Sequence, residues 1–187
     1  MIFITGATGF VGPHLLKHLN AQSYLIKGIN LRNPNWYSEL DADVSTIIHL
    51  AGKAHDLKKT FNVKEYYEVN TELTKDIFNA FVASDAQVFI TLSSIKAVAD
   101  EVEGVMDEES VPFPKTHYGK SKLYGDQYIL SKSLPAEKRV YILRPCLIHG
   151  PGNNGNLKTL FFILVVFTSS ALLATVFTDF KYVAIFG

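Results

Sequence analysis

The sequence predicts an α/β protein built on a doubly wound parallel sheet with helices on both faces. Three observations carry that expectation. The chain opens with a short apolar run, Met1-Ile2-Phe3-Ile4, that leads directly into three glycines spaced three apart, Gly6, Gly9 and Gly12. Further β-prone runs then alternate with stretches of helical periodicity, as parallel strands joined by crossover helices require. Finally, Ser93 and Ser94 follow one of these strands at the end where ligands of open α/β sheets collect.

Each element can be read in order. After the first strand, Thr5-Gly6-Ala7-Thr8-Gly9-Phe10-Val11-Gly12 forms a turn, and Leu15, Leu16 and Leu19 recur at helical spacing behind it. In such a turn Gly6 permits the tight reversal, Gly9 lets backbone approach a pyrophosphate, and Gly12 lets the helix pack closely, so that phosphates meet free N–H groups at the helix start. The spacing is Gly-x-x-Gly-x-x-Gly, and an ordinary glycine-rich turn is the alternative. With strand and helix both in place, dinucleotide binding is the better reading. Tyr24 to Ile29 predicts the second strand and Thr46 to Ala51 another, ending at Gly52. A helix through Tyr66, Val69, Leu73, Ile77 and Phe81 follows, then a strand over Val88 to Leu92. Acid-rich Asp100 to Ser110 reads as a loop, Tyr118 to Leu130 as a helix, Val140 to Leu143 as a strand, and Gly150 to Gly155 as a turn. His49 lies inside an apolar strand and reads as a satisfied core histidine; His55, alone in its stretch, reads as structural.

Composition narrows the partners. Eighteen basic and eighteen acidic residues cancel, so neither nucleic acid nor an anionic membrane is expected, and the partner should be a small molecule. The single cysteine, Cys146, follows an apolar run and reads as core; it cannot form an internal disulfide. No charged-then-apolar leader precedes the first strand, and a reducing cytoplasm is the expected location.

Tyr118 and Lys122 stand four residues apart, which puts a phenol and an ammonium on one helix face. Free tyrosine ionises near about pH 10, and a neighbouring cation with a hydrogen-bonding hydroxyl is expected to bring the phenolate into working range. A solvated helix face is the bland alternative, and the glycine turn upstream weighs against it.

Five motifs then occur in a fixed order: Thr5 to Gly12, His49-Leu50-Ala51-Gly52, Ser93-Ser94, Tyr118-x-x-x-Lys122, and Leu143-Arg144-Pro145 through Gly150-Pro151-Gly152. In this the chain resembles the extended short-chain dehydrogenases/reductases, and within them the NAD-dependent sugar epimerase/dehydratase branch. The resemblance implies a Rossmann-like sheet carrying the cofactor over residues 1–157, with most of the nucleotide-sugar-binding portion missing. It implies Tyr118 as general base and acid, Lys122 as the cation that lowers its pKa and holds the ribose hydroxyls, and Ser94 as the hydroxyl that orients the sugar oxygen. Gly6, Thr8, Gly9, Phe10, Val11, Gly12, Leu50, Ala51, Gly52, Lys53, Asn70 and Pro145 would contact the cofactor. Relatives often pair through the helices that include the Tyr/Lys helix, which makes a homodimer the expectation by analogy.

Departures from the family pattern carry information too. Between the second strand and His49 the chain is short for this family, with Asn33-Pro34-Asn35-Trp36 where a further strand is often found, so a reduced sheet edge is expected. Past the second strand NAD-binding folds usually place an acid, whereas this chain offers Arg32, which suits a 2′-phosphate. NAD is expected from the resemblance and NADP stays open. After the paired serines stand Ile95 and Lys96, where a dehydratase would carry an acidic pair. That favours epimerisation at C4 of a UDP-sugar by transient oxidation over dehydration. A reductase and a non-catalytic nucleotide-binding or membrane-tethered remnant are the alternatives.

The tail, residues 158–187, does not fit the family. Thr159 to Thr178 contains no charged residue and is long enough to cross a hydrocarbon layer of about 30 Å. Scattered threonines and serines, and the lack of a flanking basic cluster, argue against a membrane span. Truncation by a frame change is the favoured expectation, with full turnover needing the missing sugar-binding half.

Overall fold

The β-prone runs form one parallel sheet. In the computed structural model, which describes residues 1–40, 43–53, 62–101, 105–148 and 150, the strands are β1 (Ile2–Thr5), β2 (Ile26–Ile29), β3 (Thr46–His49), β4 (Val88–Leu92) and β5 (Arg139–Leu143). Their order is β2-β1-β3-β4-β5, every neighbouring pair parallel. The order reverses between β1 and β3, and at such a switch point the loops leaving the two strands diverge and open a crevice.

Both faces of the sheet are covered, as continuous apolar strands demand. Phe3 and its neighbour Ile4 point to opposite faces, yet both are buried. On the Phe3 side, Ile47 and Phe89 from the sheet pack with Ile77, Phe78 and Phe81 of α3 (Leu73–Ala83) and Ile129 of α4 (His117–Leu130). Phe78 meets Phe89 edge-on at 5.2 Å between ring centroids, an arrangement that adds about 0.5–1.5 kcal/mol to the area it buries.

The predicted second strand is shorter than its apolar run. Tyr24 and Leu25 are exposed, and the Tyr24 N–H donates to the Leu19 carbonyl, closing α1 (Gly12–Ala21) instead of joining the sheet. The reduced edge is also observed. Among the described residues β2 has no outer neighbour, and a 3-10 turn at Trp36–Glu39 occupies the connection, with Trp36 packed against the core cluster.

The helix expected through Tyr66 and Phe81 forms, but with a local change of winding. Between α2 (Val63–Tyr67) and α3 the backbone widens into a π turn, Glu68–Glu72, which buries Asn70 and Thr71. Such turns are rare and recur at functional sites. Here α4 grips it: the Thr71 hydroxyl donates to the Ser121 carbonyl at 2.8 Å.

Candidate functional site

The crevice at the switch point has a volume of about 350 Å³ and is lined by residues just past β1 and β3, by the end of β4 and by the four residues 145–148 beyond β5. Gly6 sits at its base with φ of +71°, a conformation L side chains rarely adopt, and a Cβ there would lie 2.5 Å from the Ala51 nitrogen. Gly12 opens α1 where the Ala7 carbonyl occupies the place a Cβ would need. The turn is therefore closed to side chains at both ends, and Gly9, Phe10 and Val11 between them line the crevice.

The start of α1 has no side-chain cap and no acidic residue in its first turn. The positive end of its dipole is thus not neutralised by a side chain of the first turn. The charged residues lining the crevice are Lys53, Lys96 and Lys122, all cationic. Lys53 is paired with Glu65 at 3.1 Å and Lys96 with Asp100 at 3.6 Å, and the glycine turn with an uncapped helix start behind it fits a diphosphate-bearing dinucleotide.

Opposite the glycine turn stand Ser94, Tyr118 and Lys122. Ser94 accepts the Lys96 N–H at 3.2 Å as cap of a 3-10 turn, Ile95–Ala97, and its hydroxyl is hydrogen-bonded to the Tyr118 phenol. Lys122 extends past Gly52 and donates to the Leu92 carbonyl at 3.0 Å. Desolvation lowers the Lys122 ammonium to about 8, with Asp126 acting against the fall. Gly52, Lys53, Leu50 and Pro145 complete the lining.

This arrangement agrees with the matches to known proteins. The model of the NAD dependent epimerase/dehydratase family matches residues 2–166. The chain belongs to this family. Over 185 residues it is 30% identical to the UDP-glucose 4-epimerase of Vibrio cholerae, covering 85% of this chain and 55% of that one. Its fold matches MoeE5, solved with UDP-glucose and NAD, with a TM-score of 0.74 at 24% identity over 88% of this chain and 60% of that one. It also matches the dTDP-4-dehydrorhamnose reductase of Bacillus anthracis, solved with NADP, with a TM-score of 0.71 at 24% identity over 87% and 59%. The chain spans about half the length of the curated relatives it matches. The family match runs past Leu157, into the stretch read as unrelated tail.

Several expectations are corrected in this epimerase/dehydratase family chain. The Tyr118 phenol is not made acidic: burial raises it above the ordinary tyrosine value, the Ser94 hydrogen bond works against that rise, and Tyr66 and Asp126 reinforce it. The Lys122 ammonium, committed to the Leu92 carbonyl, is not among the groups that lower it. Cys146 is exposed and lines the crevice instead of the core, because the chain leaves β5 at Leu143 and turns over the sheet end.

Four of the predicted cofactor contacts lie outside the crevice lining. Thr8 is exposed. Arg32, also exposed, has its backbone N–H on the Asn30 side chain at 3.1 Å. Ala51 donates its N–H to the Thr5 hydroxyl oxygen at 3.4 Å. Asn70 is buried and works one layer down. It accepts the Lys53 N–H at 2.8 Å, and donates to the Lys53 carbonyl at 3.1 Å and to Ser121 at 3.0 Å, so it fixes the loop that carries Lys53.

His49 is the satisfied core histidine expected. The Thr74 hydroxyl gives its proton to the Asn70 carbonyl, so His49 Nε2 must carry the hydrogen that donates to Thr74 Oγ1 at 3.1 Å. Nδ1 is then bare and accepts from the Thr5 hydroxyl at 2.7 Å. Burial first, and Lys122 second, lower His49 to about 3 and keep it neutral.

Ser93 does more than satisfy backbone, and its partner escaped the sequence reading. Its hydroxyl donates to Asp126 Oδ2 at 2.9 Å, and the same oxygen accepts from Arg144 Nε at 2.9 Å. The signal was available: Asp126 follows Tyr118 and Lys122 at intervals of four, on one helix face. His55, residues 151–155 and the tail lie outside the described residues, as do residues 102–104 of the acid-rich loop. No helix among the described residues is long and apolar enough to cross a membrane.

Proposed function

We propose that this chain carries the cofactor-binding and proton-transfer half of an NAD-dependent nucleotide-sugar epimerase, inverting C4 of a UDP-sugar through transient oxidation. The observation that carries the reading is the convergence of Ser94, Tyr118 and Lys122 on one cationic crevice behind an uncapped helix start. The glycine turn would hold the diphosphate of NAD, and Lys122 the ribose of its nicotinamide half. When bound, NAD supplies a hydride acceptor. The chain's own task is the proton. As phenolate, Tyr118 accepts it from the C4 hydroxyl, with Ser94 donating to the oxygen that bears the charge, and gives it back after the keto-sugar has turned over.

The raised phenol and lowered ammonium set a narrow window. Phenolate becomes more abundant as pH rises, whereas Lys122 loses its charge above about 8. Epimerisation should therefore climb with pH and fail beyond that value, with apparent constants that belong to the coupled pair.

NADH titration of the chain, and epimerisation of UDP-glucose by the chain joined to the sugar-binding portion of a full-length relative, test the reading. In the joined protein epimer should form with no net reduced cofactor, and Tyr118→Phe should cut the rate by roughly 10²–10⁴-fold while leaving NADH affinity within about twofold. Absence of NADH binding to the wild-type chain would overturn it. A second reading, an NADP-dependent reductase, draws support from Arg32, three residues past the end of β2. It requires net consumption of NADPH on a keto-sugar.

A further inference from the structure

The carboxylate of Asp126 is buried on the side of α4 that faces the sheet, and it touches no crevice surface of its own. One of its oxygens receives both the Ser93 hydroxyl and Arg144 Nε. Those donors sit immediately beside two residues of the site, Ser93 before Ser94 and Arg144 before Pro145. The strand ends they occupy stay paired beyond the sheet, through Ser93 N–H to the Leu143 carbonyl at 2.8 Å and Ile95 N–H to the Pro145 carbonyl at 3.2 Å. Three elements, β4, β5 and α4, thus meet on a single oxygen atom.

We propose that Asp126 is a positioning residue of this site, clamping the ends of β4 and β5 to the helix that carries Tyr118 and Lys122 and placing a carboxylate one helical turn from Lys122. The proposal rests on the cofactor reading above for its functional meaning. Its geometry stands without it.

The charge balance explains why an acid is needed. Neutral His49 of β3 and Asp126 of the same helix act on Lys122; Tyr118, Lys53 and Lys96 line the same crevice, Lys53 paired with Glu65 and Lys96 with Asp100, while Arg144 of the β5 end is bound to Asp126. Of the groups that act on Lys122, Asp126 is the anion. Burial pushes its carboxyl above the ordinary value, and Arg144, Ser93 and Lys122 all oppose that push. Remove the charge and Lys122 shares a poorly hydrated region with a guanidinium and nothing to balance it, so its ammonium must ionise at lower pH.

Two variants separate charge from geometry. In Asp126→Asn the amide oxygen can keep both hydrogen bonds while the charge is lost. Asp126→Glu keeps the charge but displaces the carboxylate by one methylene. The titration of Lys122 is read by trace acylation across pH with peptide mapping, and the strand ends by amide hydrogen exchange of segments 92–95 and 143–146. In the wild type Lys122 should titrate near 8. Asp126→Asn should lower that midpoint, labelling Lys122 roughly twofold or more faster at pH 7, with exchange unchanged. Asp126→Glu should hold the midpoint and speed exchange of both segments several-fold. An unmoved midpoint in the first variant, or unchanged exchange in the second, overturns the proposal, and the second reading stands even where the first variant does not fold. Neither measurement uses cofactor; an NADH titration run alongside reports separately on the cofactor reading.

Discussion

The two helices that frame the crevice begin in opposite ways. At α1 no side chain of the cap residue, Val11, closes the helix start, and no carboxylate stands in the first turn. At α4 (His117–Leu130) side chains hold the start in place. Thr116 Oγ1 accepts the Gly119 N–H at 3.1 Å, and Asp100 accepts from the Lys115 and Thr116 N–H groups at 2.7 and 3.0 Å and from the Thr116 hydroxyl at 3.0 Å. An unsatisfied helix start is a cost that stability alone would remove, as α4 has removed it. That α1 lacks such a cap, behind the glycine turn, agrees with the anion site proposed there, whereas the start of α4 is held by Thr116 and Asp100.

A polar chain joins the two regions, and breaking it should have the largest effect. Thr5, at the root of the α1 turn, reaches through His49 to Thr74 and the Asn70 carbonyl, and the Asn70 side chain continues to Ser121 of α4. His49 ionises at about 3 when folded and near its ordinary 6.5 when unfolded. Between those values the unfolded chain binds the additional proton, so His49 withdraws stability as pH falls from about 6.5 towards 3, by a few kcal/mol in all. His49→Gln, which cannot acquire that charge, should flatten the loss. Urea unfolding at pH 7.5 and pH 5 reads it directly. The neutral-pH stability of the variant should fall by roughly 1–3 kcal/mol, since its amide cannot reproduce both ring contacts.

The next effect would make α1 resemble α4. Val11 is the cap residue of α1 and offers no side-chain acceptor. Val11→Asp would set a carboxylate at the positive end of the helix, raising stability by roughly 0.3–1 kcal/mol in thermal or urea unfolding. The same carboxylate would stand where a diphosphate is expected, so NADH affinity should drop by roughly tenfold or more, and the drop should shrink with added salt. A variant that gains stability with no loss of affinity would mean that the open start of α1 is not where the anion sits.

How far the sequence speaks depends on the range of the interaction. Strand, glycine turn and amphipathic helix are local patterns, and they are legible from Ile2 to Leu19 and again from Val88 to Ser94. The Tyr118 and Lys122 pair is local too, which is why its shared crevice could be expected. Their protonation could not. It depends on burial by distant segments and on Lys122 turning to the Leu92 carbonyl, a partner thirty positions away. Asn70 and Asp126 were opaque for the same reason: Asn70 looks like one polar position in an amphipathic helix until the π turn and Lys53 come together around it, and Asp126 looks like a solvated acid until Ser93 and Arg144 arrive. Tyr24 shows the converse, the start of a strand-like run whose N–H the end of α1 takes, while the Leu25 carbonyl accepts the Ile2 N–H at 2.8 Å.

The smallest effect tests the locked side of the comparison. Thr116→Ala removes the oxygen that caps Gly119 and a donor to Asp100, and should cost about 1 kcal/mol of stability with NADH affinity nearly unchanged, because Thr116 itself does not line the crevice. Asp100 adds a pH signature. Burial alone would raise it, but the hydrogen bonds from Thr116 and Lys115 and the nearby Lys96 outweigh burial and hold it below the ordinary carboxylate range. A carboxyl depressed in the folded state lends stability above its unfolded value of about 3.9 and loses it as pH falls through the folded value. Thr116→Ala weakens that depression, so the variant's deficit should be largest at neutral pH and narrow in acid. A deficit that stays constant from neutral pH into acid would separate Asp100 from the cap, and would leave Thr116 alone holding the start of α4.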